Sequence, residues 1–289
     1  MDESEVLIRL AELLPEAGDD GAVVDGLVVT TDMLHRSTDF PVGTTQYTAG
    51  WRSVAASLSD LAAMGSEPVA TVAVYGTPEF DWTEIESFVS GAQAVCEQAG
   101  GRYVGGDLDE HSELTVATTA IGRSDDPVYR SGATAGEAVC VTGTLGRSGA
   151  ALRLFEAGET ERANELFRFA PRTHAGRILA EHATAMIDSS DGLARSLYQL
   201  ADASECGFAI DSPLPIADIV GELTTDEEEY RELGCFFGED FELVCTLPTE
   251  SLPVVREELS VPLTRIGTVT DGGVTLDGET LPDRGYTHG

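Results

Sequence analysis

The sequence predicts a two-domain α/β (α+β) protein, and three observations carry this prediction. Short apolar segments of strand length alternate with longer segments in which apolar residues recur every three to four positions. The chain has 289 residues, enough for two ordinary domains. Residues 123–137, rich in Asp, Ser, Gly and Pro, have the composition of a linker. We therefore expect one domain over 1–127 and a second over 128–289.

Periodicity and helix-ending residues define the elements of both predicted domains. Helical spacing of apolar residues predicts helices over 5–14, 48–64, 81–99, 147–157, 161–170, 174–183 and 192–204. Short apolar runs predict strands over 27–31, 69–75, 114–121, 138–142, 185–187, 208–210, 241–246, 263–268 and 273–276.

The charge balance is strongly acidic, with 51 Asp and Glu against 17 basic residues and a formal net charge of −34. The acids are spread along the whole chain, which favours adaptation to a salt-saturated cytoplasm over one acidic surface for a basic partner. At about 1 M salt the Debye length is roughly 3 Å, so repulsion among these charges is screened. A halophilic, archaeal source is therefore expected, and no binding to nucleic acid.

All 17 basic residues are Arg, and the sequence contains no Lys. Sites of the P-loop and protein-kinase types place a Lys on the phosphates, and Schiff-base chemistry requires a Lys. These classes are excluded. Any phosphoryl chemistry in this protein must rest on metal ions and Arg.

Two further patterns concern location and cysteine use. No run of 18 apolar residues is present, and the acidic residues 1–5 lack the basic start of a secretory signal. We expect a cytoplasmic protein without a membrane span.

The five Cys show no CxxC spacing, and Cys96, Cys140 and Cys245 lie in apolar patterns typical of core residues.

Six aspartates lie at the ends of apolar elements or inside an apolar helix: Asp20, Asp32, Asp60, Asp107, Asp188 and Asp191. Asp60 is the most informative, because an unpaired carboxylate beside the apolar stripe of a helix is strongly unfavourable. Carboxylates that converge in one cleft repel one another, so they take up protons or bind cations. Mg²⁺ is the natural cation, since it takes oxygen ligands and is commonly shared with phosphates.

Each aspartate also has a purely structural interpretation. A single Asp after a strand is commonly a helix cap or a turn former, and Asp191 would then cap a helix beginning at Gly192. Thr30 and Thr31 add hydroxyl or backbone oxygens beside Asp32. The six positions taken together favour a magnesium and phosphate site.

Two other features have open interpretations. Gly105 and Gly106, before Asp107, form either a plain turn or a place where backbone N–H groups approach a phosphate. Arg130, near the predicted boundary, is either a surface Arg or a bidentate clamp for a polyphosphate.

Seven strings, in order, resemble the motif series of the thiamine-monophosphate kinase family. They are AGDDGAV (17–23), TTDML (30–34), SLSDLAAMGSEP (57–68), GGD (105–107), RSGA (130–133), IDSSDGL (187–193) and GEDFEL (238–243). That family belongs to the superfamily of aminoimidazole-ribonucleotide synthetase, selenophosphate synthetase and the hydrogenase maturation protein HypE. The match runs from about residue 17 to the terminal GYTHG, and SLSDLAAMG and IDSSDGL are its most specific parts.

The resemblance implies a two-domain PurM-like fold, with an N-terminal β-α domain forming a homodimer interface and a C-terminal α/β domain closing over the active site. It implies in-line transfer of the γ-phosphate of ATP to thiamine monophosphate, giving thiamine diphosphate. Several Mg²⁺ ions would be held by Asp20, Thr30, Thr31, Asp32, Asp60, Asp107, Asp188 and Asp191. ATP would be bound by Gly105, Gly106, Asp107, Arg130 and Ser190, and catalysis would rest on Asp107, Asp191 and Arg130.

The acceptor would contact Asp39, Glu239 and Tyr286. Many relatives carry a His-Phe pair after TTDML, whereas this chain has Asp39 followed by Phe40. Asp39 would then bond the aminopyrimidine in place of the His. Tyr286 either lies near the thiamine rings or is an exposed C-terminal aromatic.

Alternatives stay open at this point. No Cys lies before Cys96, which argues against selenophosphate synthetase, and an end at His288 and Gly289 argues against HypE. Another ATP-dependent enzyme of the superfamily, similar to aminoimidazole-ribonucleotide synthetase, shares the same ancestry. From other classes, a non-catalytic nucleotide or cation sensor would keep the fold, and acids that merely bind salt ions would explain the charge but not the placement of Asp60.

Overall fold

The computed structural model describes residues 9–10, 13–14 and 17–286, so the helix predicted over 5–14 lies for the most part outside the described residues. The strands of the first half, β1 to β5, are Ala22–Val24, Leu27–His35, Glu67–Thr77, Tyr103–Glu110 and Thr115–Arg123. They form one sheet in the order β1-β2-β5-β3-β4, antiparallel except for β3 beside β4. Helices α1 to α3 are Arg36–Asp39, Gln46–Ala63 and Trp82–Ala99.

The first sheet has one covered face and one open face. Val28, Val116 and Ala120 are fully buried in a core shared with α2 and α3. Because successive side chains of a strand point to opposite faces, the intervening residues form the second face. There Met33 and Val74 are about half exposed.

The second half forms a seven-stranded sheet. Its strands β6 to β12 are Ala138–Thr142, Ala185–Asp188, Gly207–Ile210, Leu243–Leu247, Leu263–Thr270, Gly273–Leu276 and Glu279–Thr280. Their order is β12-β11-β8-β10-β6-β9-β7. Helices α4 to α10 are Arg147–Glu156, Thr160–Phe167, Thr173–Ala180, Leu193–Ser204, Asp218–Leu223, Glu227–Arg231 and Leu252–Glu258, with a π-helical turn over Glu232–Phe236 and a 3₁₀ turn over Thr249–Ser251.

The centre of the second sheet is buried throughout. Every residue of β6 and β9 is buried, and all of them are apolar except Thr142 and Thr246, which explains why these strands are largely apolar runs in the sequence. Cys140 and Cys245 face each other across this pair, and both are buried, as is Cys96 in the first half. The prediction of core cysteines is confirmed.

Helix α2 lies between the two halves and touches both at very short range. At Gly50 of α2 and Gly91 of α3, an added Cβ would lie 2.0 Å from a backbone oxygen of the opposite helix. At Gly176 of α6, an added Cβ would lie 2.1 Å from the backbone oxygen of Ala62. These contacts place the α2 backbone directly against a helix of each half.

The structure corrects the ends of two predicted strands. β2 continues to His35, so Asp32 lies inside a strand and not after it. β4 includes Gly105 and Gly106, so this pair is not a turn. Gly106 has φ 158°, and an added Cβ would lie 1.6 Å from the oxygen of Ala73, so no other residue fits there.

The linker predicted over 123–137 corresponds to the segment between the two sheets, and the boundary at 127/128 stays a prediction inside it. Among the described helices, none is both long and apolar enough to span a bilayer.

Candidate active site

Three of the predicted aspartates meet where the two halves of the chain face each other. Asp20 precedes β1, Asp60 lies in the last turns of α2, and Asp188 is the final residue of β7. One carboxylate oxygen of each residue lies within 4.8 Å of the other two. We call these residues the aspartate cluster.

The cluster concentrates negative charge away from water. Burial, followed by the charges of Asp32 and Asp188, raises the pKa of Asp60 well above its usual range. Burial and then Asp20 raise the pKa of Asp188 to about 7. The Oδ2 atom of Asp188 is buried and has no hydrogen-bond partner in the described part of the chain. A carboxylate oxygen in that condition is a free ligand position for a proton or a cation.

Asp32 lies beside the cluster on β2. The hydrogen bonds of nearby residues show which side chains share its face of the strand. The hydroxyl of Ser57 donates to Asp32 Oδ2 at 2.7 Å, and Thr30 donates to the carbonyl oxygen of Ser57 at 2.9 Å. Thr31 donates instead to the carbonyl oxygen of Thr118 at 2.8 Å. Thr30 shares the face of Asp32, whereas the Thr31 side chain lies on the opposite face of the strand.

Arg130 forms the edge of the cluster. Its Nη2 donates to Asp20 Oδ1 at 2.9 Å, and its Nε donates to Oδ2 of the same carboxylate at 3.3 Å. Its backbone N–H donates to Asp19 at 2.9 Å, and burial raises the pKa of Asp19 to about 6. Arg130 is therefore part of the site and not an isolated surface residue.

Ser190 and Asp191 follow the cluster in the loop after β7. The N–H of Ser190 donates to Asp188 Oδ1 at 3.2 Å. The helix after this loop has Gly192 as its N-cap and no side-chain capping bond, while Asp191 accepts from Gln199 Nε2 at 3.4 Å. The N-cap position thus belongs to Gly192, one residue after Asp191.

Asp107 lies apart from the cluster, exposed on β4, where its Oδ1 accepts from the N–H of Leu108 at 3.0 Å. Together with Gly105 and Gly106 it lines a cavity of about 400 Å³ between β4 and α3, whose other walls are largely apolar. The predicted nucleotide residues thus lie in two places, with the glycine pair and Asp107 at this cavity and Arg130 at the aspartate cluster.

The three predicted acceptor residues meet in a second cavity. Asp39, Glu239 and Tyr286 line a space of about 300 Å³. Three phenylalanines complete much of its wall: Phe167, Phe236 and Phe237. An apolar cavity with a few convergent polar groups is typical of a small-molecule site. We call this space the acceptor cavity.

Two backbone hydrogen bonds tie the acceptor cavity to the loop that follows the aspartate cluster. The N–H of Glu239 donates to the carbonyl oxygen of Ser190 at 2.6 Å. The N–H of Tyr286 donates to the carbonyl oxygen of Asp191 at 3.2 Å. The cavity and the cluster therefore share one loop, although their residues lie far apart in the sequence.

Unusual backbone geometry occurs at and next to the wall of the acceptor cavity. Glu239 and Phe241 have φ values of 60° and 54°, in the left-handed region that non-glycine residues rarely adopt. Phe236 ends the π-helical turn. Both features are enriched at functional sites, because only surrounding contacts maintain them.

Comparison with known proteins assigns the chain to a family. Residues 18–124 match the family AIR synthase related protein, N-terminal domain, and residues 134–278 match its C-terminal domain. A thiamine-monophosphate kinase of Halobacterium salinarum is 57% identical over an alignment of 291 positions that covers 100% of both chains. This chain belongs to the thiamine-monophosphate kinase family. The family predicted from the motifs is confirmed.

Solved structures of the kinase family share the fold. A thiamine-monophosphate kinase from Stenotrophomonas maltophilia gives a TM-score of 0.83 at 34% identity, covering 95% of each chain. A structure described as AaThiL complexed with AMPPCP and TMP gives a TM-score of 0.88 at 27% identity, covering 99% of this chain and 97% of that one. The predicted two-domain α/β (α+β), PurM-like fold is therefore confirmed.

Sequence reasoning missed Arg52 and Asp19 in this kinase-family site. Arg52 lies in α2 with 1% of its side chain exposed and contacts Glu239. Its signal was available, since Arg52 and Asp60 are the two charged residues of a helix with a clear apolar stripe. Asp19 precedes Asp20, and nothing in the sequence shows that it binds the backbone of Arg130.

Proposed function

We propose that the protein transfers the γ-phosphate of ATP to thiamine monophosphate and releases thiamine diphosphate and ADP. One observation carries the proposal: the acceptor cavity and the aspartate cluster are joined by the loop after Asp188. A cavity suited to rings thus adjoins carboxylates suited to phosphate-bound cations. The curated relative's name and the relative solved with AMPPCP and TMP support the same pair of ligands.

The donor set of the cluster fits Mg²⁺. Three carboxylates within 4.8 Å, one with an unpartnered oxygen, offer the oxygen ligands that this ion takes. The proposed ligands of several ions are those implied by the family resemblance: Asp20, Thr30, Asp32, Asp60, Asp188 and Asp191, with Thr31 through its backbone oxygen, because its side chain lies on the opposite face, and Asp107 at a separate position beside the nucleotide cavity. Bound there, Mg²⁺ would offset the repulsion between two anionic reactants and the charge developing on ADP.

The nucleotide is assigned to the cavity beside Gly105, Gly106 and Asp107. Its apolar walls suit a purine base, and an added side chain at Gly105 would point into open space, so its backbone is accessible. Arg130 and Ser190 are assigned to the phosphate end, because both lie at the aspartate cluster. AMPPCP, the ligand of the related structure, is an analogue of ATP.

The acceptor is assigned to the cavity lined by Asp39, Glu239 and Tyr286. Asp39 accepts hydrogen bonds through one oxygen from the backbone N–H of His35 at 2.6 Å and from the hydroxyl of Thr38 at 2.7 Å. These bonds fix the carboxylate, and its second oxygen is proposed to accept from the amino group of the aminopyrimidine. The aromatic walls would pack on the rings and exclude water.

The reaction needs neither a covalent intermediate nor a general base. A phosphate monoester is largely a dianion at neutral pH, so its oxygen attacks the γ-phosphorus directly while the bond to the bridging oxygen of ADP breaks. The chain supplies position and charge: the acceptor cavity orients the monophosphate, and the proposed catalytic residues are Arg130 and Asp191, beside the aspartate cluster and the loop after it, and Asp107, at the nucleotide cavity. This chemistry is compatible with a chain that has no Lys.

A homodimer is proposed through the open face of the first sheet. Met33 is 56% exposed and Val74 is 45% exposed, and both lie on strands whose other face is buried. Apolar sheet faces of this kind mark interaction surfaces in folded proteins. Replacement of Val74 by Asp should then shift the species seen by sedimentation in molar KCl from dimer to monomer.

The net charge of −34 is proposed to be an adaptation to a cytoplasm with molar salt. A cytoplasmic location is also proposed, because the reaction consumes ATP. The 57% identity to a Halobacterium salinarum protein supports a halophilic source.

The direct test is an assay with purified protein, ATP, Mg²⁺ and thiamine monophosphate in molar KCl. We expect thiamine diphosphate and ADP in equal amounts, and no product when Mg²⁺ is chelated. ATP binding without any product would favour a non-catalytic sensor. Consumption of ATP with a formylglycinamidine-type acceptor would favour the reaction of aminoimidazole-ribonucleotide synthetase.

A further inference from the structure

A buried arginine lies directly behind the acceptor cavity. Arg52, on α2, is 1% exposed and reaches from the first half of the chain into the second. Its Nη2 donates to Glu239 Oε2 at 2.6 Å, and its Nη1 donates to the carbonyl oxygen of Phe167 at 2.6 Å. Its Nε has no hydrogen-bond partner among the described residues. The guanidinium is thus removed from water with its Nε–H donor unmet.

The surroundings are unfavourable for a cation that serves only packing. The Cζ atom of Arg52 lies 3.6 Å from the ring centre of Phe167, and the rings of Phe169 and Phe241 lie at 5.2 Å and 5.7 Å. Cation–π contacts offset part of the lost hydration. An apolar side chain would nevertheless fill the same space without any buried charge. The carboxylate partner of Arg52 is Glu239, which lines the acceptor cavity, so the arginine has a role at that cavity.

Glu239 is held at three points. Its N–H donates to Ser190, its carbonyl oxygen accepts from the hydroxyl of Ser148 at 2.6 Å, and its Oε2 accepts from Arg52. Its Oε1 accepts no hydrogen bond from the described part of the chain. The side chain lines the acceptor cavity and is 22% exposed. One carboxylate oxygen is therefore engaged from behind, while the other is available to a ligand.

We propose that Arg52 is a positioning residue for the acceptor: it holds the Glu239 carboxylate in the cavity and cancels one of the two negative charges there. This inference rests on the proposed function. Thiamine monophosphate carries a cationic thiazolium ring, so Asp39 and Glu239 balanced by one Arg leave the single negative charge that complements it. Without Arg52, Glu239 loses both its orientation and its counter-charge.

The test compares Arg52→Gln, Arg52→Lys, Glu239→Gln and the double variant Arg52→Gln/Glu239→Gln. KM is measured for each substrate in molar KCl, and Kd for thiamine monophosphate is measured by equilibrium titration. We expect Arg52→Gln to raise KM and Kd for thiamine monophosphate about tenfold or more while KM for ATP changes less than about twofold. Arg52→Lys keeps the charge but only as a point donor, so it should restore part of the loss.

The double variant distinguishes positioning from packing. If Arg52 acts through Glu239, the double variant should bind no more weakly than Glu239→Gln alone. Arg168→Gln is the matched control, because Arg168 also crosses between the halves, with Nη1 donating to Thr48 at 3.2 Å, but does not line the cavity. It should leave both KM values unchanged.

Three results would overturn the assignment: an unchanged Kd in Arg52→Gln, equal rises in KM for both substrates, or multiplying effects in the double variant. If Arg52→Gln does not fold, Arg52→Lys and the double variant decide in its place, since neither leaves an unpaired charge in the pair. Failure of the proposed function looks different. In that case the wild-type protein makes no thiamine diphosphate, whereas the binding titration still compares the variants.

Discussion

Two regions of this protein bury carboxylates, and they differ in how far other groups of the chain hydrogen-bond those carboxylates. In the segment 238–243, Asp240 accepts hydrogen bonds from the N–H groups of Gly146 and Ser148, and Glu242 is paired with the guanidinium of Arg172. In the aspartate cluster, Asp188 has an oxygen with no partner among the described residues.

The difference is not one of depth. Burial is the largest cause that raises the pKa of both Asp188 and Asp240, to about 7 in each. What separates them is how completely internal donors engage the carboxylate: each oxygen of Asp240 accepts a backbone N–H, whereas Oδ2 of Asp188 accepts no well-aligned hydrogen bond from the described residues, although the nearby Ser59 hydroxyl lowers the Asp188 pKa. A buried carboxylate satisfied by its own chain is structural, and one left unsatisfied is a candidate ligand.

The largest expected effect is on turnover in the cluster. Asp188→Asn should lower kcat roughly a thousandfold, because charge stabilisation at the phosphates is lost. Its free energy of unfolding should stay the same or rise, since one of three mutually repelling carboxylates is removed. Product formation and thermal unfolding in molar KCl measure the two effects. Asp202→Asn, on the exposed side of α7, is the control, and turnover by Asp188→Asn within tenfold of wild type would contradict the interpretation.

The satisfied region should show the opposite response. Glu242→Ala should lower the free energy of unfolding by about 3 kcal/mol, because Arg172 keeps its charge without its partner. Urea denaturation measures the loss. The control is Arg162→Ala, which breaks an exposed pair with Glu222 and should have no measurable effect. An equal fall in the free energy of unfolding in both variants would show that the buried pair stabilises the protein no more than the exposed pair.

Addition of Mg²⁺ should have a pH-dependent effect on stability. The pKa of Asp188 is raised from 3.8 to about 7, so between these values the folded protein holds a proton that the unfolded chain has lost. Stability without Mg²⁺ therefore falls as pH rises from about 4 to about 7. Mg²⁺ binds the deprotonated form, so it should raise Tm more at pH 8 than at pH 5.5.

Thermal melts with and without Mg²⁺ at pH 5.5 and pH 8 measure this rise in Tm. In Asp60→Asn, the rise should differ less between the two pH values. Equal Mg²⁺ effects at both pH values would separate the cluster from metal binding.

The smallest effect is expected for Asp240→Asn. The amide still accepts one hydrogen bond, so the free energy of unfolding should change by only about 1 kcal/mol. The fall in stability between about pH 4 and about pH 7 should become shallower, because a second group with a pKa raised to about 7 no longer titrates. Unlike Asp60→Asn, this variant should keep the full Mg²⁺ effect on Tm. Loss of that effect would place Asp240 with the cluster.

Local patterns predicted the long elements well, and they failed where the pattern is weak. Helices α2 and α3 carry clear apolar stripes and were predicted within two residues of their ends. The short helices over 218–231 and the helix Leu252–Glu258 were not predicted, because they are acidic or have too few apolar residues to show a period.

The aspartates could be suspected from their contexts, but their grouping could not. Asp107 and Asp188 follow similar apolar runs, yet only Asp188 joins the cluster, because the position of Asp107 depends on the pairing of β4 with β3. Arg52 and Glu239 are 187 residues apart, and no local signal connects them. The metal, nucleotide and acceptor roles of these residues stay predictions.

The geometry of helix α2 also limits which insertions and deletions this segment of the chain can accept. It carries Arg52 behind one cavity and Asp60 in the cluster, eight positions later, which is about 12 Å of axial rise. Insertion or deletion of a single residue between them would rotate one side chain by about 100° relative to the other. The glycine contacts at both flanks prevent the helix from turning to compensate. The length of this stretch is therefore fixed by the two sites that it connects.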